Sequence, residues 1–114
     1  AQRTFAIQAR NLARLSKAGV KIALGTDGNV PWAAHLEMAD MVAAGMTPAQ
    51  VLVAATRNGA ELLGLKDAGT IGAGKSADFV VLDANPLADI TNTRRIASVY
   101  LRGAAVNRDA MRGK

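Results

Sequence analysis

From Arg3 to Ala18 apolar and small residues recur at helical spacing, and the period stops at Gly19, where the five residues Val20 to Leu24 begin to read as a strand. That change of period across one glycine restricts the chain more than any other feature. Phe5, Ala9, Leu12, Ala13 and Ser16 share one face of the helix, and Arg3, Arg10, Arg14 and Lys17 share the other. A glycine just past the last periodic residue takes the left-handed conformation that closes a helix. Helix, glycine turn and buried strand make one step of an alternating α/β chain, the class that collects its working groups in the crevice beyond the strand ends. Gly25-Thr26-Asp27-Gly28 stands at such an end, so Asp27 is the first candidate for chemistry. Asp-Gly is also a favoured turn pair, and taken alone the four residues read more readily as a turn.

The rest of the chain extends the pattern and then changes it. A second helix is expected from about Trp32 to Ala44, with Ala34, Met38, Met41, Val42 and Gly45 on one face and Glu37, Asp40 and Ala44 outward. Thr47-Pro48-Ala49-Gln50 opens a third, with Thr as N-cap, Pro in the first helical position and Gln placed to complete a capping box. Val51, Leu52, Ala55, Gly59, Leu62 and Leu63 continue it as one apolar face up to the Gly64 stop. Beyond Lys66 the chain switches to β: a glycine-rich turn series from Gly69 to Lys75, an apolar strand from Ala77 to Asp83, a turn at Asn85-Pro86, a strand from Ile96 to Arg102, a tight turn at Gly103 and a returning strand from Ala104 to Val106. Asn107 to Lys114 reads as a polar, frayed tail.

Several function classes drop out. No apolar run approaches the roughly 20 residues that a spanning helix needs, no secretory leader is visible, and there is no cysteine for a disulfide or thiolate site, which together lead us to expect a cytoplasmic protein. The net charge of +5 comes from basic residues scattered from Arg3 to Lys114 without a dense block or interleaved aromatics, a solvated surface rather than a nucleic-acid interface. The glycines of Gly69 to Lys75 precede a strand instead of opening a helix, so the donor array of a phosphate loop is missing. His35, the one histidine, is two residues from Glu37 and points to a different helical face, so the two make a poor chelating pair. From the start of the second helix His35 can still reach the crevice of Asp27, as a substrate-binding side chain. Met38 and Met41 read as core.

The whole order of motifs carries more than any one of them. Gly-Thr-Asp after a buried strand, then His-Leu-Glu, then Ala-Gly-Met-Thr-Pro-Ala-Gln and Ala-Ala-Thr-Arg-Asn-Gly-Ala-Glu-Leu-Leu-Gly-Leu, and finally the run from Gly69 to Leu87, resembles the C-terminal third of the metal-dependent amidohydrolases, in their imidazolonepropionase and Xaa-Pro dipeptidase-like branch. The resemblance implies an α/β fold: over residues 1–66 a partial C-terminal segment of a (β/α)8 barrel, consisting of a helix, the eighth strand at Val20 to Leu24 and two helices, then over 67–107 a small β-sandwich segment with Asp78 and Asp83 as structural residues, then a polar tail over 108–114. It also implies a divalent metal, zinc in the parent family, with Asp27 as metal ligand and as the catalytic base that takes a proton from the attacking water.

The family's other ligands, a His-x-His pair, a lysine or glutamate and two later histidines, are not among these 114 residues. One carboxylate falls short of the three protein ligands of a catalytic zinc, so this chain alone is expected to hold no metal stably and to be inactive by itself. The expectation is therefore a fragment or truncated module of a hydrolase that cleaves C–N bonds of a small-molecule cyclic amide or dipeptide. The alternative is an autonomous structural module that folds by oligomerising. A barrel segment leaves a strand edge and inner helix faces open, so its expected partner is either a second copy or the missing N-terminal barrel portion.

Overall fold

A computed structural model of the chain describes residues 2–112. Four helices come first: α1 (Gln2–Lys17), α2 (Ala33–Ala43), α3 (Pro48–Ala55) and α4 (Arg57–Leu62). They are followed by strand β1 (Phe79–Leu82), a 3-10 helix (Ile90–Arg94), β2 (Ile96–Leu101), β3 (Ala104–Ala105) and a last short helix, α5 (Arg108–Met111). Residue 1 and residues 113–114, the end of the expected tail, lie outside the described residues.

The helix ends form where the glycines predict them. Gly19, Gly45 and Gly64 all have positive φ, at 84°, 117° and 72°. At each, the glycine N–H and the next N–H reach back to carbonyls of the last turn, as in Val20 to Leu15 at 3.0 Å, Met46 to Met41 at 3.2 Å and Leu65 to Ala60 at 2.9 Å. The capping box of α3 is complete, with Thr47 Oγ1 accepting from Gln50 N–H at 3.1 Å and Gln50 Oε1 accepting from Thr47 N–H at 2.9 Å. Met38, Met41, Met46, Val51 and Ala54 form the core of this helical part, and Leu12, Ile22 and Leu24 pack on it.

Two expectations, the single third helix and the frayed tail, need correction, and two more, the strand at Val20 to Leu24 and the sandwich, find no ladder or second layer among the described residues. Val20 to Leu24 pairs with no strand among the described residues, because a strand is defined by a ladder and the only sheet lies elsewhere. The expected single third helix breaks at Thr56, whose backbone turns to φ −124°, ψ −83° while its hydroxyl donates to the Leu52 carbonyl at 2.7 Å. The break resets the helical phase, so Asn58 and Ala60 turn inward and Leu62 and Leu63 stand 76% and 73% exposed. Residues 79–105 build one antiparallel sheet in the order β1-β2-β3, with no second layer of sheet among the described residues to make a sandwich. The tail does not fray throughout: Asn107 caps α5 by accepting from Ala110 N–H at 3.0 Å.

The sheet is tied to the helices by the 3-10 helix, which the sequence pattern did not announce. Ile90 joins the methionine core from there, and Thr93 is buried beside it. Asp78 has the structural part that the resemblance gives it, accepting from Arg102 N–H at 2.7 Å. That bond braces the β2–β3 turn, where Arg102 and Gly103 both have positive φ, 51° and 81°.

Candidate active site

The segment leading to Asp27 is held by helices instead of strands. Leu24 N–H donates to the Ala54 carbonyl at 3.0 Å, Asn58 Nδ2 donates to the Ile22 carbonyl at 2.8 Å, and Lys21 pairs with Glu61. Ile22 and Leu24 meanwhile pack on the methionine core. The segment therefore enters the Asp27 loop from a fixed end, although it has no strand neighbour.

The loop itself is a short hydroxyl-braced turn. Gly28 N–H donates to Thr26 Oγ1 at 2.9 Å, which leaves Asp27 at the apex with its carboxylate exposed. Gly28 is required by close approach: a Cβ there would lie 2.5 Å from the Ala33 Cβ at the start of α2. Among the described residues Asp27 has no hydrogen bond or ion pair that would occupy its oxygens.

His35 follows in the first turns of α2, with its N–H on the Trp32 carbonyl at 3.0 Å. Its Nδ1 lies 2.9 Å from Thr93 Oγ1, a bond across 58 residues of sequence that joins α2 to the 3-10 helix. Partial burial, and then the positive charge of Arg94, hold the imidazole pKa below its ordinary value. No hydrogen bond or ion pair joins His35 to Asp27 among the described residues. Glu37 is half-buried and Asp40 exposed on the same helix, and neither gathers with His35.

No three His, Asp or Glu side chains come together among the described residues, and a catalytic zinc takes three protein ligands. What the arrangement offers is one unencumbered carboxylate on a glycine-flanked loop braced by Thr26. Two contributors escaped the sequence reading. Thr93 carries no local signal, whereas Asn58 could have been noticed as a polar residue four after Ala54 and seven after Val51, on a face that is otherwise apolar.

The amidohydrolase family model matches residues 1–106. An imidazolonepropionase of Deinococcus radiodurans is 38% identical over 99 residues, which cover 80% of this chain and 25% of that protein. A 5-methylthioadenosine/S-adenosylhomocysteine deaminase of Moorella thermoacetica is 46% identical over 79 residues, 58% of this chain and 18% of that one. Among solved structures, molinate hydrolase superposes with a TM-score of 0.79 at 35% identity, over 89% of this chain and 26% of the other. A Xaa-Pro dipeptidase with methionine bound in its active site gives 0.79 at 32% identity, over 86% and 25%. The chain spans about a quarter or less of the length of these relatives.

Proposed function

This chain belongs to the amidohydrolase family, and we propose that it works as the C-terminal part of a metal-dependent hydrolase of C–N bonds in a small cyclic amide or dipeptide. In that reading Asp27 is the carboxylate that accepts a proton from the attacking water and one of the ligands of a metal site whose remaining ligands come from outside these 114 residues. His35, half-buried and with its Nδ1 against Thr93, offers the other edge of its ring to the substrate. By itself the chain holds no metal tightly and turns nothing over. The observation that carries the reading is the exposed and unpaired Asp27 carboxylate at the apex of a braced loop, entered from a segment that is fixed at three points. A carboxylate kept only for a turn would be expected to spend its oxygens on the turn's own N–H groups, a part that Thr26 takes here.

The test is a chimera of the Deinococcus radiodurans imidazolonepropionase in which this chain replaces the matching region. Asp27→Asn in the chimera is expected to lower kcat by about a hundredfold or more, since a general base contributes about 10²–10⁴. An Asp27→Asn chimera as active as its parent overturns the assignment.

One observation favours a second reading, the oligomerising module. None of the residues of α1 is buried, and Phe5, Ile7, Leu15, Trp32 and Leu36 are exposed together with it. Such a surface needs a cover, and a second copy of the chain supplies one where no further barrel elements do.

A further inference from the structure

The three contacts that hold Val20 to Leu24 have a common geometry. They come from the Ala54 carbonyl near the end of α3 and from Asn58 and Glu61, three apart on one face of α4 beyond the Thr56 break. They meet Leu24, Ile22 and Lys21 in descending order, so these residues and the segment run antiparallel. Of the three, only the middle contact is made by a buried side chain: Asn58 is 9% exposed, whereas Lys21 and Glu61 pair in solvent.

Asn58 is an expensive choice for that place. Its Nδ2 is used on the Ile22 carbonyl, but its Oδ1 is buried without a partner among the described residues. An unmet buried acceptor works against folding, and a leucine of similar volume would fill the same space without one. What a leucine could not do is grip the Ile22 carbonyl, three residues before Gly25. Nor is the orientation of the amide free, because a carbonyl can be met only by the NH2 side.

We propose that Asn58 is a positioning residue for Asp27: its buried amide clasps the Ile22 carbonyl and, with the Ala54 carbonyl on Leu24, sets where the Asp27 loop begins. The inference rests on Asp27 being the working carboxylate. It goes further in assigning a part to a residue 31 positions away in the sequence.

Amide exchange followed residue by residue in the 114-residue chain tests the clasp. Asn58→Leu is expected to speed exchange at Leu24, bonded to the Ala54 carbonyl, and at Gly28, bonded to Thr26 Oγ1, by about tenfold, and to leave Val51, bonded to the Thr47 carbonyl, unchanged. Asn58→Ser, which keeps a polar group but loses the amide, is expected to do the same. Equal acceleration at Val51 reduces Asn58 to general stability, and no acceleration at Leu24 and Gly28 removes the clasp; either result overturns the proposal. In the chimera, Asn58→Leu is expected to lower kcat about tenfold with KM within about twofold. An unchanged kcat, with Asp27→Asn still inactive, overturns the positioning role and spares the assignment of Asp27. An active Asp27→Asn overturns that assignment instead, and the exchange result then stands on its own.

Discussion

His35 is the residue whose behaviour with pH is easiest to read from its surroundings. Burial and Arg94 lower its pKa from 6.5, so the folded chain binds fewer protons than the unfolded one just below that pH. Stability is therefore full above about pH 6.5 and falls as the pH drops through the lowered folded value. Urea unfolding at pH 7.5 and pH 5.5 is expected to show this loss, and His35→Gln is expected to abolish most of it. A loss equal in the variant would place the proton elsewhere. Glu61, held below its ordinary pKa by Lys21, and Asp89, held down by Thr91, lose their contributions only at lower pH, as it falls through their own depressed values. Asp27 was legible as a candidate because its neighbours in sequence, Gly25 and Gly28, mark the loop. The Thr93 partner of His35 was not, since no local pattern encodes a bond across 58 residues.

At the scale of elements, the helix boundaries were the most legible part of the chain. Caps are local chemistry: a threonine hydroxyl, a glutamine amide three residues on, and a glycine that can take positive φ. Thr47→Ala removes the acceptor of the Gln50 N–H and is expected to cost about 1 kcal/mol. Denaturant titration should show the change in midpoint, and Thr47→Ser should restore most of it. The interior of the third helix was less legible, because Thr56 fits a helical pattern in composition and breaks the helix only through its own backbone and side-chain bond. The three strands of the sheet were found within two residues, whereas the expected strand at Val20 to Leu24 has no ladder among the described residues; the pairing of Phe79 with Tyr100, their rings stacked at 4.7 Å, uses two of the four aromatic residues on that small sheet.

For the whole molecule the question is what covers the open apolar surface. The core is a small cluster of methionines with Val51, Ala54 and Ile90, while Trp32 remains 50% exposed and α1 contributes only half-buried side chains. Exposed apolar surface of this kind marks a place where further protein or a ligand can bind. Light scattering of the isolated chain is expected to give a mass above 11.8 kDa that rises with concentration. A constant monomer mass removes the second copy as the cover and leaves the rest of a barrel. No described helix is long and apolar enough to cross a membrane.

By itself the sequence determined the helix ends, the switch from helical to strand period beyond Lys66, the family, and the loop on which Asp27 stands. These depend on caps, glycines and motifs that act over a few residues. Tertiary structure alone decided that the Ala54 carbonyl and Asn58 hold Val20 to Leu24, and that a 3-10 helix carries Ile90 and Thr93 back to α2. The physical reason is the same in both cases. A buried backbone carbonyl or N–H takes whatever partner packing brings to it, and that partner is chosen by the fold across tens of residues.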